Sequence, residues 1–284
     1  MNALEVQRIA AFSDGAQGGN PAGVWIGAAL PPEETMQRVA REIGYSETAF
    51  AAPCEGGWRV RYFSPEAEVP FCGHATIALG AALAAREGDG TYALLLNDAA
   101  ITVEGRREGL ADGAAPLVSA ALQSPPTHSS AAPPAAVERA LALFGYCPED
   151  LDPRIPPALA HGGAPHLVLA LRSRALLAAM RYDLDAGRVF MRELGIVTVV
   201  LAWAETPTLF HTRNPFAAGG VYEDPATGAG TAALAGYLRD LGWPHGGAID
   251  VVQGEDMGMR SRLHAAIGAG QGGSIRVSGT ARQL

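Results

Sequence analysis

The chain is 284 residues long, 48% apolar, with a formal net charge of -8; this length suits one large domain or two of roughly 100 to 150 residues, each able to bury a core. The acidic balance, unrelieved by any run of basic residues, excludes electrostatic attraction to a phosphate backbone, so no nucleic-acid partner is expected. All 21 basic residues are Arg, and the lack of Lys excludes a pyridoxal phosphate Schiff base, a Walker A loop and a Schiff-base aldolase.

In chain order, β-type runs at Glu5 to Phe12 and Gly23 to Ile26 precede a helix opened by Pro31-Pro32-Glu33-Glu34 and ending near Ile43; Pro and acids suit a first turn with free N-H groups. Trp58 to Phe63 and Tyr92 to Leu96 are further strands. Gln123 to Ala136, reading QSPPTHSSAAPPAA, has the composition of a linker. Beyond it come a helix at Ala135 to Phe144, a strand at His166 to Leu171, a helix at Ala186 to Leu194, and strands at Val197 to Trp203, Ile249 to Val252 and Ser274 to Val277. Many strands and few helices predict an α+β fold. Gly268-Ala269-Gly270-Gln271-Gly272-Gly273 satisfies GxGxxG in letters only, because a strand follows it, and is expected to be a turn.

No apolar run reaches the roughly 18 residues of a membrane-spanning helix, and Met1-Asn2-Ala3-Leu4-Glu5 lacks a basic, apolar leader. Cys54, Cys72 and Cys147 are odd in number and far apart, which opposes a disulfide framework. A cytoplasmic protein without a membrane partner is expected. The pairs His161/His166 and His211/His245 lack zinc-site spacing and HExxH is absent, so no metal is expected.

Glu68 to Leu83, EVPFCGHATIALGAAL, aligns without gaps on Glu223 to Leu238, EDPATGAGTAALAGYL, with seven identities in sixteen positions. Aligned Glu, Pro, Gly and Thr are not what two Ala-rich helices share by composition alone, and they predict a duplication. Each copy is a strand end, a tight Gly turn and a helix that is small and apolar all round, hence buried. The first N-H groups of a buried helix need a cap, water or a ligand, and they suit a carboxylate. Two such ends facing one another across a domain junction would make one anion-lined pocket.

Four side chains could carry chemistry. Glu47, in Gly44-Tyr45-Ser46-Glu47-Thr48-Ala49-Phe50, is either a partly desolvated base or a solvated surface acid. His74 is either a proton carrier or a partner of backbone carbonyls. Cys72 is either an activated thiol at a helix start or core packing. Asp224, which faces Val69 in the alignment, either works in a site or caps its turn. Gly228-Ala229-Gly230-Thr231 could cradle an anion or simply turn the chain.

Five ordered segments, Gly19-Asn20-Pro21-Ala22-Gly23-Val24, Ser46-Glu47-Thr48-Ala49-Phe50, Phe71-Cys72-Gly73-His74-Ala75-Thr76, Gly220-Val221-Tyr222-Glu223-Asp224-Pro225-Ala226-Thr227-Gly228, and Gln253-Gly254 followed by Met257-Gly258, resemble the PhzF family over essentially the whole chain. These are phenazine-biosynthesis-like proteins that share the diaminopimelate epimerase fold. The resemblance implies two similar domains, residues 1–124 and 125–284 with the last strand returning to the first, each a rolled, mostly antiparallel sheet around a central helix and related by pseudo-twofold symmetry. It also implies an active site in the cleft between them, no cofactor and a homodimer. In PhzF itself a Glu shuttles a proton as a dihydro-hydroxyanthranilate is isomerised, and that Glu matches Glu47. His74 and Asp224 match its other polar positions. Gly73-His74 and Thr227 to Thr231 (with Gly228, Ala229 and Gly230) match its carboxylate-binding loops, and Asn20 joins them as a substrate-binding candidate.

Racemases of this fold use one Cys from each half, but here the positions hold Cys72 and Thr227. A Thr hydroxyl is too weakly acidic to serve as the second base near neutral pH. The expectation is therefore a cofactor-independent isomerase acting on a small carboxylate, with Glu47 as base and acid. An epimerase or dehydratase using Cys72, and a binding protein that keeps the cleft without turnover, are the alternatives.

Overall fold

Residues 4–107 and 118–284 are described by the computed structural model, and they fall into two units, Met1–Gln123 with Ser278–Leu284 and Ser124–Val277. Residues 1–3, read above for a leader, lie outside the described residues.

The first unit contains β1 (Gln7–Ser13), β2 (Asn20–Ile26), α1 (Glu33–Ile43), β3 (Thr48–Cys54), β4 (Gly57–Phe63), β5 (Glu68–Val69), α2 (Gly73–Glu87), β6 (Gly90–Leu95) and β7 (Ala100–Arg107), with β8 (Val118–Pro126) antiparallel to β7. The second contains β9 (His128–Ala131), α3 (Pro134–Phe144), β10 (Ala158–His161), β11 (Pro165–Ala170), α4 (Arg174–Ala178), α5 (Leu184–Leu194), β12 (Thr198–Ala204), β13 (Leu209–Phe216), β14 (Val221–Asp224), α6 (Gly228–Leu241), β15 (Ala248–Gln253) and β16 (Ser261–Ile267). β17 (Ser274–Gln283) begins in the second unit and pairs with β1 of the first through Ile9↔Gln283.

Strand pairing repeats between the units step by step. β1 is antiparallel to β2 as β10 is to β11, and β2 is parallel to β3 as β11 is to β12. β3 to β4 and β4 to β5 are antiparallel, as are β12 to β13 and β13 to β14. β4 then takes β6 in parallel as β13 takes β15, and an antiparallel hairpin follows in each, β6 to β7 and β15 to β16. The duplication read from sixteen aligned residues therefore governs the whole pairing order. The fold is α+β and mostly sheet.

In each unit one helix is the centre. α2 packs against β1, β2, β3, β6 and β7, and its residues from His74 to Ala84 are all buried. α6 packs against β9, β10, β11, β12, β15 and β16, with Gly230 to Arg239 all buried. A helix without a polar face can only lie inside a sheet wrapped round it. Small residues set the approach: a Cβ built on Gly105 of β7 would lie 2.4 Å from the Gly80 carbonyl of α2, so only Gly lets strand and helix touch there.

The remaining helices are amphipathic and cover the outside of the sheets. α1 buries Met36, Val39 and Ala40 against Phe50 and Phe63, and ends at Gly44 in the left-handed conformation (φ 73°). In the second unit Phe144, Leu177, Phe190 and Met191 form the matching outer cluster with Leu167, Leu169, Val199 and Leu201.

The division between the units falls at the start of Gln123 to Ala136, after Gln123, but the segment is not an irregular connector. It forms the end of β8, then β9, then the start of α3. Its polar residues have structural work: Thr127 is buried, its hydroxyl donating to the Gly273 carbonyl (2.9 Å) and accepting from Arg239 (2.9 Å). The prolines stand at element ends, Pro125 and Pro126 closing β8 and Pro134 opening α3, where a missing N-H costs nothing. Residues 268–273 form the turn between β16 and β17, as expected.

Candidate functional site

Glu47 sits in the short connection between α1 and β3. Its carbonyl accepts from Gly23 N-H of β2 (3.1 Å), which continues the parallel β2–β3 register of Gly23↔Thr48. A Cβ on Gly23 would lie 2.6 Å from the Thr48 hydroxyl. The absent side chain thus lets β2 hold the backbone of Glu47 in place. Glu47 is partly desolvated, its side chain 16% exposed.

Cys72 and His74 come from the entry to α2. Cys72 is the N-cap residue, extended (φ -145°, ψ 117°) and making no side-chain cap bond. Its carbonyl instead accepts from Thr76 N-H (3.0 Å) and the Thr76 hydroxyl (2.7 Å), and that hydroxyl also bonds the buried Tyr62 hydroxyl (2.6 Å). Burial pushes the Tyr62 hydroxyl well above its ordinary range, so it stays protonated. Around this anchor the His74 ring reaches both ways: Nε2 stands 3.4 Å from Glu47 Oε2 and 3.4 Å from Ser46 Oγ, while Nδ1 stands 3.4 Å from Cys72 Sγ. Glu47, Cys72 and His74 place their ligand-capable atoms within 4.8 Å of one another. This trio draws on two distant segments, beyond the reach of His spacing and HExxH.

Nothing lies within 4 Å of a Cβ built on Gly73. Packing does not require Gly there. The N-cap residue supplies no side-chain cap to this helix start, where the dipole favours an anion.

The second unit repeats this entry with different side chains. Thr227 is the N-cap of α6, again without a side-chain cap bond to the helix. Its hydroxyl donates to Asp224 Oδ2 (2.5 Å) and accepts from Gln253 Nε2 (2.9 Å). A hydroxyl so engaged ties the turn to Asp224 and Gln253. Gln253 also donates to the Asp224 carbonyl (2.7 Å) and accepts from Thr227 N-H (3.1 Å). Gly230 is buried in the first turn, where a Cβ would lie 2.8 Å from Asn214 Nδ2, whereas Gly228 and Ala229 are half-buried and Thr231 is buried.

In sequence Gln253 is only part of a motif, and its clamp on the turn is a tertiary feature. The following Gly254 explains the motif's second residue. It is left-handed (φ 74°), and a Cβ would lie 2.5 Å from the Met259 carbonyl and 2.7 Å from that of Pro225.

The aligned acids Glu68 and Glu223 hold the two turns from behind. Arg61 of β4 grips Glu68 with Nε at 2.7 Å and a second nitrogen at 2.5 Å, and Arg213 of β13 grips Glu223 at 3.0 and 2.5 Å. The guanidinium of Arg61 holds the Glu68 carboxyl below the usual range. Each is a bidentate pair of the strong kind. Asn20 is buried at the start of β2, opposite Ala11.

Residues 9–284 match the family described as phenazine biosynthesis-like protein. The chain is 32% identical over 277 residues to the trans-2,3-dihydro-3-hydroxyanthranilate isomerase of Pseudomonas aeruginosa, covering 95% of this chain and 94% of that one. It is 34% identical to an uncharacterized isomerase of Deinococcus radiodurans over 82% of this chain and 76% of the other. Among solved structures, a phenazine biosynthesis protein of the PhzF family from Bacillus anthracis superposes with a TM-score of 0.84 at 21% identity, covering 100% of this chain and 98% of that one.

Proposed function

The chain belongs to the phenazine biosynthesis-like protein family and is an isomerase, and from that premise we propose that it moves a proton between carbons of a small carboxylate, with Glu47 as base and then acid. The observation that carries this reading is the position of Glu47. It is an acid fixed by its own backbone, partly withdrawn from water and 3.4 Å from an imidazole that can orient it. In the first step a carboxylate oxygen of Glu47 takes a proton from carbon and the electron pair delocalises toward the substrate's unsaturated system. In the second, the same carboxyl, 16% exposed and so able to exchange its proton with solvent, delivers a proton to another carbon, so no cofactor or net redox change is needed.

His74 has two roles in this scheme, holding the Glu47 oxygen and stabilising its charge. The first N-H groups of α2, at Gly73 and His74, would bind the substrate carboxylate with Asn20 as a polar contact, and in the second unit the turn of Thr227, Gly228, Ala229, Gly230 and Thr231, with Asp224, would be an anion-binding turn of its own. A cytoplasmic homodimer belongs to the same proposal. Incubating the protein with trans-2,3-dihydro-3-hydroxyanthranilate and related cyclic carboxylates, and following isomer formation by NMR, tests it. Turnover of at least one such compound is expected, and tight binding of these compounds without turnover would contradict it.

One observation favours a second reading. Cys72 Sγ stands 3.4 Å from His74 Nδ1, the nucleophile-and-base pairing that an epimerase or dehydratase acting through Cys72 would use. Loss of activity in Cys72→Ala with Glu47→Gln active would establish it.

A further inference from the structure

We propose that Glu47, Cys72 and His74 form a binding site for one soft divalent cation, with zinc as the preferred ion. Their donor atoms lie within 4.8 Å of one another. The nitrogen that faces both partners is His74 Nε2, which stands 3.4 Å from Glu47 Oε2 and 3.9 Å from Cys72 Sγ. Tetrahedral zinc with bonds of about 2.0 Å to nitrogen and oxygen and about 2.3 Å to sulfur requires donor separations of about 3.3 Å between nitrogen and oxygen and about 3.5 Å to sulfur. The two pairs that share Nε2 stand within a few tenths of an ångström of this, and the carboxylate–thiolate pair, within 4.8 Å, closes by a side-chain movement of about 1 Å.

The three donors are also held in position beforehand. Glu47 is pinned through its carbonyl to Gly23 N-H (3.1 Å), and Cys72 and His74 share the first turn of α2, fixed by the Thr76 bonds to the Cys72 carbonyl. The side chains of His74 and Glu47 are 8% and 16% exposed, so an ion has both an approach and a desolvated seat. Thiolate, imidazole and carboxylate together select zinc or cadmium over magnesium or calcium, which take oxygen donors. Three protein ligands leave a fourth position for water or an anion. Binding releases the thiol proton to solvent, since the thiolate is the ligand.

The consequence for turnover rests on the proposed role of Glu47: a cation on its carboxylate removes the base, and zinc inhibits. The binding itself stands on geometry alone, and its test does not use activity. Purified protein, stripped with a chelator, is titrated with zinc against a chromophoric chelator and separately with cobalt followed by absorption spectroscopy. One zinc per chain is expected, together with a thiolate-to-cobalt charge-transfer band. Cys72→Ser should abolish the band and weaken zinc binding at least tenfold, Glu47→Gln should weaken binding without removing the band, and Cys54→Ser with Cys147→Ser should change neither. Circular dichroism and thermal melts confirm that each variant is folded; if Cys72→Ser fails to fold, His74→Asn takes its place for zinc affinity. No stoichiometric zinc, or affinity undiminished in Cys72→Ser or His74→Asn, would overturn the proposal.

Discussion

His74 Nε2 stands 3.4 Å from Glu47 Oε2, although the two residues come from different segments. Glu47 leaves a helix end for β3, and His74 opens the buried helix α2. What brings them together is the wrapping of β2 and β3 around α2, so the contact depends on the helix being apolar enough to occupy the middle of the sheet. Substitutions that test this arrangement separate into those that loosen the frame and those that remove the chemistry.

The frame of the second turn depends on the pair Arg213–Glu223, in which both side chains are buried. Arg213 also donates to the Ala178 carbonyl at 3.0 Å. Neutralising Glu223 leaves the Arg213 charge to the more distant Asp256, 3.9 Å away, in low dielectric, which costs about 3 kcal/mol. Glu223→Gln is expected to lower stability by that order in a denaturant titration, and Arg213→Met with Glu223→Met together should cost less than the sum of the two single changes.

Gln253 is expected to matter to substrate binding. It makes three hydrogen bonds to Asp224 and Thr227 and is buried. Gln253→Leu leaves Thr227 N-H and the Asp224 carbonyl without that partner, at about 1–3 kcal/mol for each group left unsatisfied. The turn should loosen while both helices persist. Steady-state kinetics should show KM for the carboxylate raised about tenfold, equivalent to about 1.4 kcal/mol, with kcat changed less.

Acid sensitivity should trace in part to His166. It is fully buried, its Nδ1 bonded to the Thr198 hydroxyl at 2.8 Å, and burial, with a smaller contribution from His161, pushes its imidazole down to about 3. In the unfolded chain the group titrates near pH 6.5. As pH falls below that value the unfolded chain takes up a proton that the folded protein refuses until about pH 3. Stability is therefore fully present above about pH 6.5 and is lost progressively toward pH 3, by up to about 1.4 kcal/mol per pH unit. Comparing urea unfolding at pH 7 and pH 5, wild type should lose about 2 kcal/mol more than His166→Gln; equal losses would show that His166 does not carry the effect.

Much of this architecture could be read before the structure, and the reasons differ by feature. The central helices were legible because the alignment of Gly73 with Gly228 and of Glu68 with Glu223 survives in the sequence, and because an all-apolar helix has only one place to go. The partners of those acids were not, since Arg61 and Arg213 come from the preceding strands at unequal distances, seven residues before Glu68 and ten before Glu223. The regular structure within Gln123 to Ala136 was not legible because Pro and Ser mark strand ends as readily as linkers, and the buried bonds of Thr127 tell the two apart. The trio of Glu47, Cys72 and His74 shows the same limit: each residue alone was ambiguous, and tertiary proximity resolves what spacing does not.

The measurement that tests the account most directly is wash-in of solvent deuterium at carbon, followed by NMR, for wild type, Glu47→Gln and Cys72→Ala with a carboxylate that the wild type turns over. Glu47→Gln keeps the shape of the side chain and removes the base. The account predicts that its exchange falls by at least about a hundredfold, the scale of general-base catalysis, while Cys72→Ala retains exchange within about tenfold of wild type. Exchange undiminished in Glu47→Gln, with loss in Cys72→Ala, would contradict it and assign the proton transfer to the thiol.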